Sequence, residues 1–522
     1  MMRLITTLLF LPASAVAFDA PGFISTIFGS NQVFQHSDPL TIFGWASSPS
    51  VPVSVTLTSE DGTTVTTAAA NSSSTAYNGA YYRWDLTLPA SPPSLSPYSL
   101  SVESAETSET ASLTNILFGD VYLCSGQSNM QFSVEGMLGK DEEIKAADDY
   151  GYIRMFGVGQ PAGQLSGPQQ TLPTVALPWT VVSSKTIATD NGDFDQFSAV
   201  CYMSGRHIFT DILKSATPVG LISSNWGGTP VEAWMPEDQL KGQCDGGKNT
   251  EERKLQFDDI SFGETADDWN PNANHVLYDN MITPFESLVV KGAFWYQGET
   301  NVGYWNYDCF QSLMVESWRK LNGWSNMAFT FVQLAAYDCG GSQALPDFRG
   351  VQLKAVDITP NSAMITAADL GDVGSPDLDI HPRNKTEVGR RLSLAIDKLL
   401  YNKDRDNAHM GPVVDVDAVK LLEDGVSVQF RGDTIGDGLH LEEPQVCPKE
   451  ELCGHAVLSF NDGGEDVVID DIVVSANNTI ELRKDGVDGT KVSGISYGWG
   501  DFPLLTVFSS YGVPAAPFKV EL

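Results

Sequence analysis

The stretch VYLCSGQSNM, Val121 to Met130, closes an apolar run with a small polar turn that carries Ser128. A serine hydroxyl is a poor nucleophile at neutral pH unless a neighbouring imidazole takes its proton. The oxyanion that forms when it attacks a carbonyl must meet fixed N–H donors. Three further stretches supply groups of these kinds. GLISSNWGGTPVEAW brings Gly227 and Gly228, FWYQGETN brings Gln297 and Glu299, and LGDVGSPDLDIHPRN brings Asp377, Asp379 and His381. A nucleophile, a base and oxyanion donors are the parts that acyl transfer requires. Of the seven histidines, His381 alone lies in a polar loop beyond a central strand candidate, which makes it the base. His207, inside an apolar helical pattern, reads as a packing residue. The backbone N–H of Ser128, a backbone N–H at Gly227-Gly228 and the side-chain amide of Gln297 are the candidate oxyanion donors. Glu299 reads as an orienting group or a partner of the backbone. In an extended segment, side chains two apart share a face, so Asp379 is the candidate to orient His381. Asp377 is the alternative carboxylate, and a Ser128–His381 dyad held by a backbone carbonyl or water is the alternative to a triad.

These residues need a scaffold that brings distant loops together. In open α/β sheets, ligands bind beyond the C-terminal ends of the strands. Each stretch above follows an apolar strand candidate: VYLC, Thr217–Ser223, Gly292–Tyr296 and Ala363–Asp369, with a fifth candidate at Phe329–Ala335. Helical patterns lie between them, at Ser198–Lys214, at CFQSLMVESWRKL and after Pro382. The last places Val388, Leu392, Ile396 and Leu399 on one face, with Asn384 and Glu387 spaced as a capping box. This alternation predicts a parallel sheet covered on both faces over residues 115–405. Residues 18–114 hold short alternating runs such as VPVSVTLT and YYRWDLTLP between Ser-, Pro- and Gly-rich turns, predicting a β-sandwich-like domain. Residues 406–522 return to short strands, such as GVSVQFRG and DVVIDDIVV, in a second β-rich domain. The expected fold class is therefore α/β, with a central parallel-sheet domain between two β-rich ones.

A chain of 522 residues is too long for one ordinary core, in keeping with this division. With 66 acidic against 31 basic residues, its net charge of −35 argues against nucleic acid and anionic membranes as partners. Residues 1–17 have one Arg, an apolar run and a small-residue ending, the layout of a cleavable secretory signal. No later run is long enough to span a bilayer. Seven cysteines allow up to three disulfides in an oxidising compartment, and Cys447 with Cys453 is the best pair. Cys124 and Cys201, inside apolar runs, read as inert core residues, while the pairing of Cys244, Cys309 and Cys339 stays open. There is no CxxC and no Cys/His cluster at metal spacing, so no zinc site is expected. Asn71, Asn384 and Asn477 open N-glycosylation sequons, consistent with a secretory route.

The order and spacing of the blocks GDVYLCSGQSNM, FSAVCYMSGRHI, GLISSNWGGTPVEAWM, FWYQGETNV and DIHPRNKTEVGRRL resemble the SGNH/GDSL-type hydrolase superfamily. Within it they resemble the sialate O-acetylesterase family. The likeness extends to FISTIFGSNQVFQHSDPLTIFGWA and YGWGDFPLLTVFSSYGVPAAPF, and so covers nearly the whole mature chain. It implies an SGNH-type central domain in which Ser128 and His381 are the catalytic pair, with Gly228 and Gln297 as oxyanion donors. It also implies an O-acetylated sugar or glycan as substrate and no metal or organic cofactor. The superfamily often has an Asp three residues before the His, where this chain has Leu378. A deacetylase of plant- or algal-type polysaccharides is the rival enzyme reading. A non-catalytic glycan-binding protein, using exposed aromatics such as Trp226 and Trp234, is the rival of another class.

Overall fold

The computed structural model describes residues 21–77, 79–161, 167–188, 192–240, 244, 270–403, 406–444, 446–461, 464–469 and 471–522. Residues 1–17, read as a secretory signal, lie outside the described residues.

The chain opens with β1 (Val33–Gln35), β2 (Leu40–Ala46), β3 (Pro52–Ser59), β4 (Thr64–Asn71), β5 (Tyr82–Leu88) and β6 (Ser94–Ser104). β2 pairs with β5, while β3 lies between β4 and β6. Alternating burial along β3 and β5 gives each strand one face for a core and one for water. Next comes β7 (Glu109–Gly126), an 18-residue strand with two textures. Its first third alternates between exposed and covered residues and pairs antiparallel with β6. From Ile116 onward every residue is buried, because there the strand enters a sheet covered on both faces. The boundary expected at 114/115 thus falls inside a continuous strand.

The central sheet adds β8 (Ile153–Val158), β9 (Val175–Val181), β10 (Val219–Asn225), β11 (Gly292–Tyr296), β12 (Ala328–Gln333) and β13 (Ser362–Thr366). Its order is β13-β12-β11-β7-β10-β8-β9, parallel throughout except for β9, which runs antiparallel to β8. On one side of β7 the chain lays down β8 and the edge strand β9, returns to insert β10 between β7 and β8, and then crosses to the other side for β11, β12 and β13. β7 is therefore the topological switch point, where a crevice opens beyond the strand ends. Helices α1 (Ser128–Gln131), α2 (Lys140–Ala146), α3 (Ala199–His207), α4 (Tyr307–Trp318), α5 (Ala344–Ile358) and α6 (Lys385–Ile396) accompany the strands. In α3 the Ser198 side chain caps the first turn by accepting from Cys201 N–H at 3.1 Å. In α6 the Asn384 side chain accepts from Glu387 N–H at 3.3 Å. The other half of the expected capping box is missing, because Glu387 turns its carboxylate to Arg390 and Arg391 instead.

One apolar core runs without a break from Ile27 and Phe34 through the central sheet to Ile396. A second core, around Val428, Leu458, Ile480 and Tyr497, belongs to the antiparallel strands after residue 406. Three disulfides lie among the described residues: Cys124–Cys201, Cys244–Cys309 and Cys447–Cys453, and Cys339 is free. The last pair is the one expected. Cys124 and Cys201 are not the separate core thiols their apolar surroundings suggested: they join β7 to α3, two segments brought together only by the tertiary fold. Among the described residues no helix is long and apolar enough to cross a membrane.

At the end of β7, Gly126 has φ +141, and a Cβ there would lie 2.1 Å from the Tyr296 carbonyl oxygen. Gly126→Ala should therefore force β7 and β11 apart and destabilise the fold by roughly 3 kcal/mol or more, read by urea unfolding.

Candidate active site

Four strand ends converge at the C-terminal edge of the sheet. Beyond β7, Gln127 N–H donates to the Tyr296 carbonyl at 3.0 Å, and the chain turns directly into α1. Ser128 heads this single helical turn, with its hydroxyl 2.8 Å from Nε2 of His381, 253 residues away in sequence. His381 follows β13 in the loop before α6. Beyond β10 lies Gly227, where a Cβ would meet that of Ser128 at 3.2 Å, so a side chain here would crowd the serine. Gly228 follows at φ +73, and a Cβ there would find open space within 4 Å.

The imidazole is half-buried and lies edge-on to Phe194, with ring centroids 5.1 Å apart. Burial pushes its pKa below the usual imidazole value, a trend the Lys385 ammonium reinforces. A bond to the Asp377 carbonyl and the charge of Asp379 act in the opposite sense. A ring that is neutral at neutral pH can accept the serine proton. Its Nδ1 lies 2.6 Å from the Asp377 backbone oxygen, which can only accept. The proton therefore sits on Nδ1, and Nε2 is left as the acceptor facing Ser128.

Asp379 does not reach the ring nitrogen, contrary to the extended-chain expectation. Leu378 adopts φ +70, and His381 N–H donates to the Leu378 carbonyl at 3.0 Å. The segment is a tight turn, so the rule that alternate side chains share a face does not apply. The turn delivers the Asp377 carbonyl to Nδ1 and sends the Asp379 carboxylate to Asp338 N–H at 2.8 Å. The Asp377 side chain faces Asp193; burial, and then this second acid, raise its pKa.

Gln297 is the second departure. Its side chain is buried, with Nε2 donating to Asn301 Oδ1 at 2.7 Å, Thr229 O at 3.1 Å and Gln127 Oε1 at 3.2 Å. Its Oε1 accepts from the Tyr307 hydroxyl at 2.7 Å. Both amide hydrogens are engaged inside the protein, so this side chain forms the floor of the site and not a donor to an oxyanion. Trp234 is also fully buried, its indole N–H bonded to Thr229 at 3.1 Å, and offers no surface to a glycan.

Two residues not singled out in the sequence complete the arrangement. Asn129, next to the serine, donates to Glu299 Oε1 at 2.5 Å and to the Ile380 carbonyl at 2.9 Å. Its Oδ1 accepts from Lys385 Nζ at 2.6 Å. Both sit within the quoted motif blocks, but a lone Asn and a lone Lys carry no chemical signal until the fold makes them neighbours.

The Ser128–His381 pair thus lies at the switch point of an open α/β sheet, parallel but for β9, where ligand crevices form. Residues 260–398 match the family model described as carbohydrate esterase, sialic acid-specific acetylesterase. The chain is 34% identical over 310 residues to the sialate O-acetylesterases of Homo sapiens and Pongo abelii, an alignment covering 56% of this chain and 56% of each relative. It thus spans about half the length of the curated relatives it matches. The resemblance read from the motifs stands on these matches. In fold, the chain is similar to a solved carbohydrate acetylesterase from Xanthomonas citri, with a TM-score of 0.73 at 24% identity, over 96% of this chain and 99% of that one.

Two outcomes follow from the geometry. Gln297→Ala should lower unfolding stability by about 2 kcal/mol or more, because it strands several buried polar partners, and a denaturant titration reads this directly. Asp379→Asn should leave kcat within about threefold of the parent at neutral pH, since the ring is held by a main-chain carbonyl that the substitution keeps.

Proposed function

We propose that this chain is a serine esterase that removes O-acetyl groups from carbohydrates, with O-acetylated sialic acids as the substrate class. The observation that carries the reading is the 2.8 Å contact between Ser128 Oγ and His381 Nε2 at the C-terminal edge of a parallel sheet. The family match over residues 260–398 and the sialate O-acetylesterase relatives support the substrate class. Three disulfides support a secretory-pathway lumen or the extracellular medium as the working compartment.

In this mechanism Ser128 Oγ attacks the acetyl carbonyl as His381 Nε2 takes its proton. The imidazolium keeps its Nδ1–H on the Asp377 carbonyl, and the nearby Asp379 carboxylate favours the charged ring through space. The tetrahedral oxyanion is met by the N–H groups of Ser128 and Gly228. Collapse returns the proton from Nε2 to the departing sugar oxygen and leaves an acetyl group on Ser128. A water, deprotonated by the same ring, then releases acetate and restores the hydroxyl. The chain's own residues thus form a dyad oriented by the main chain, with Gln297 beneath it as support.

Ser128→Ala should fold normally and lose at least about a thousandfold in kcat for acetate release, with residual rate from the remaining donors. Undiminished acetate release from the folded variant would refute the assignment. Parallel assays on O-acetylated sialic acid and acetyl-xylan separate the substrate classes, and the former is expected to be hydrolysed with the higher kcat/KM.

A further inference from the structure

Lys385 is fully buried at the start of α6, four residues after His381. A buried ammonium is costly unless something holds it, and here three elements do so. Its Nζ donates to Asn129 Oδ1 at 2.6 Å, on the turn that carries Ser128. The rings of Phe132 and Tyr296 lie 4.9 and 5.4 Å from Nζ, and these cation–π contacts replace part of the lost hydration. The buried Glu299 carboxylate, beyond β11, bonds the other end of the same amide. The amide hydrogens that Lys385 leaves free hold Glu299 and the Ile380 carbonyl, directly before His381.

We propose that Lys385 is a positioning residue of the hydrolytic site: through Asn129 its ammonium locks the Ser128 turn, the Glu299 loop and the His381 loop into one register. The inference rests on the esterase reading given above. An ammonium on Oδ1 fixes which way the Asn129 amide faces, so its N–H groups must point at Glu299 and Ile380. Without that donor the amide can turn over, and the serine turn loses its tie to the loop that carries the base. The separation of Ser128 Oγ from His381 Nε2 then has no fixed value. A misplacement of about 1 Å in such a pair can cost roughly a hundredfold in rate.

The charge matters as well as the bond. Burial lowers the Lys385 pKa to about 7, while the carboxylates of Glu299 and, farther off, Asp372 help it keep its proton. Asp372 is itself paired with Arg383. Burial raises the pKa of Glu299, and both its bond from Asn129 and the charge of Lys385 lower it. The Lys385 ammonium in turn helps keep His381 neutral. The rate should therefore rise with pH as His381 loses its proton, below the ordinary imidazole pKa. It should fall again as Lys385 loses its own.

The test is the pH profile of kcat and kcat/KM for acetate release by the full chain, in the parent and in three variants. Lys385→Met, which keeps length without charge, should lower kcat roughly a hundredfold with KM within about threefold. It should also erase the alkaline limb and move the acid limb to higher pH. Glu299→Gln keeps the shape but removes the carboxylate, and should move the alkaline limb down by roughly one pH unit or more. Ser128→Ala serves as the inactive reference. An active parent whose limbs stay in place in Lys385→Met or, should that variant fail to fold, in Glu299→Gln overturns the inference and leaves the esterase reading intact. A parent with no esterase activity, or one equalled by Ser128→Ala, overturns the esterase reading and the inference with it.

Discussion

The approach of the Tyr296 carbonyl to Gly126 is the constraint from which the site grows. It lets β7 and β11 stay paired to their last residues, so the serine turn and the Gln-Gly-Glu loop leave the sheet at the same level. Gly227 repeats the device on the other side, closing the β10 loop onto Ser128 where a methyl group would intrude. Two missing side chains thus let the β10 and β11 loops pack against the turn that carries Ser128. Only the His381 loop arrives by another route, hung from the start of α6 and tied back through Ile380.

Beneath these loops lies a continuous polar floor. Gln127, Gln297, Asn301, Thr229, Tyr307 and Glu232 exchange hydrogen bonds in a buried region where an unmet donor or acceptor would be expensive. An apolar floor would be simpler to fold but would fix no orientation. Amide-to-amide bonding instead permits one arrangement of each side chain, so the loops above inherit a unique geometry. The same density of polar groups explains why QGETN reads like an active-site motif although its glutamine faces inward.

Much of this was legible in the sequence because it was periodic or local. The apolar runs that end in polar turns gave the strands β10, β11, β12 and β13 to within a few residues, and of β7 its C-terminal end, and with them the crevice that holds Ser128 and His381. β8 and the edge strand β9 were not singled out, since neither ends in a group with chemical character. Side-chain direction was not legible. The role expected of Asp379 assumed an extended chain, and a single left-handed residue, Leu378, turned the segment and put a carbonyl where the carboxylate was expected. Gln297 failed for a related reason: sequence places an amide at a strand end but does not say whether it faces the crevice or the core. The Cys124–Cys201 bond needed the tertiary contact between β7 and α3 before its halves could be seen as partners.

The unbroken run of β7 from Glu109 to Gly126 has a mechanical consequence. One strand serves as the outer rib of the N-terminal sheet and the keel of the central one, with β6 bonded along its first part and β10 and β11 along its second. A joint made this way transmits load and does not swivel. Strain applied at the N-terminal sheet travels along the same backbone that ends at the serine turn, so the two regions behave as one girder. Shearing them apart would mean stripping hydrogen bonds in sequence toward Ser128, and that turn would feel the damage before the far strands of the sheet did.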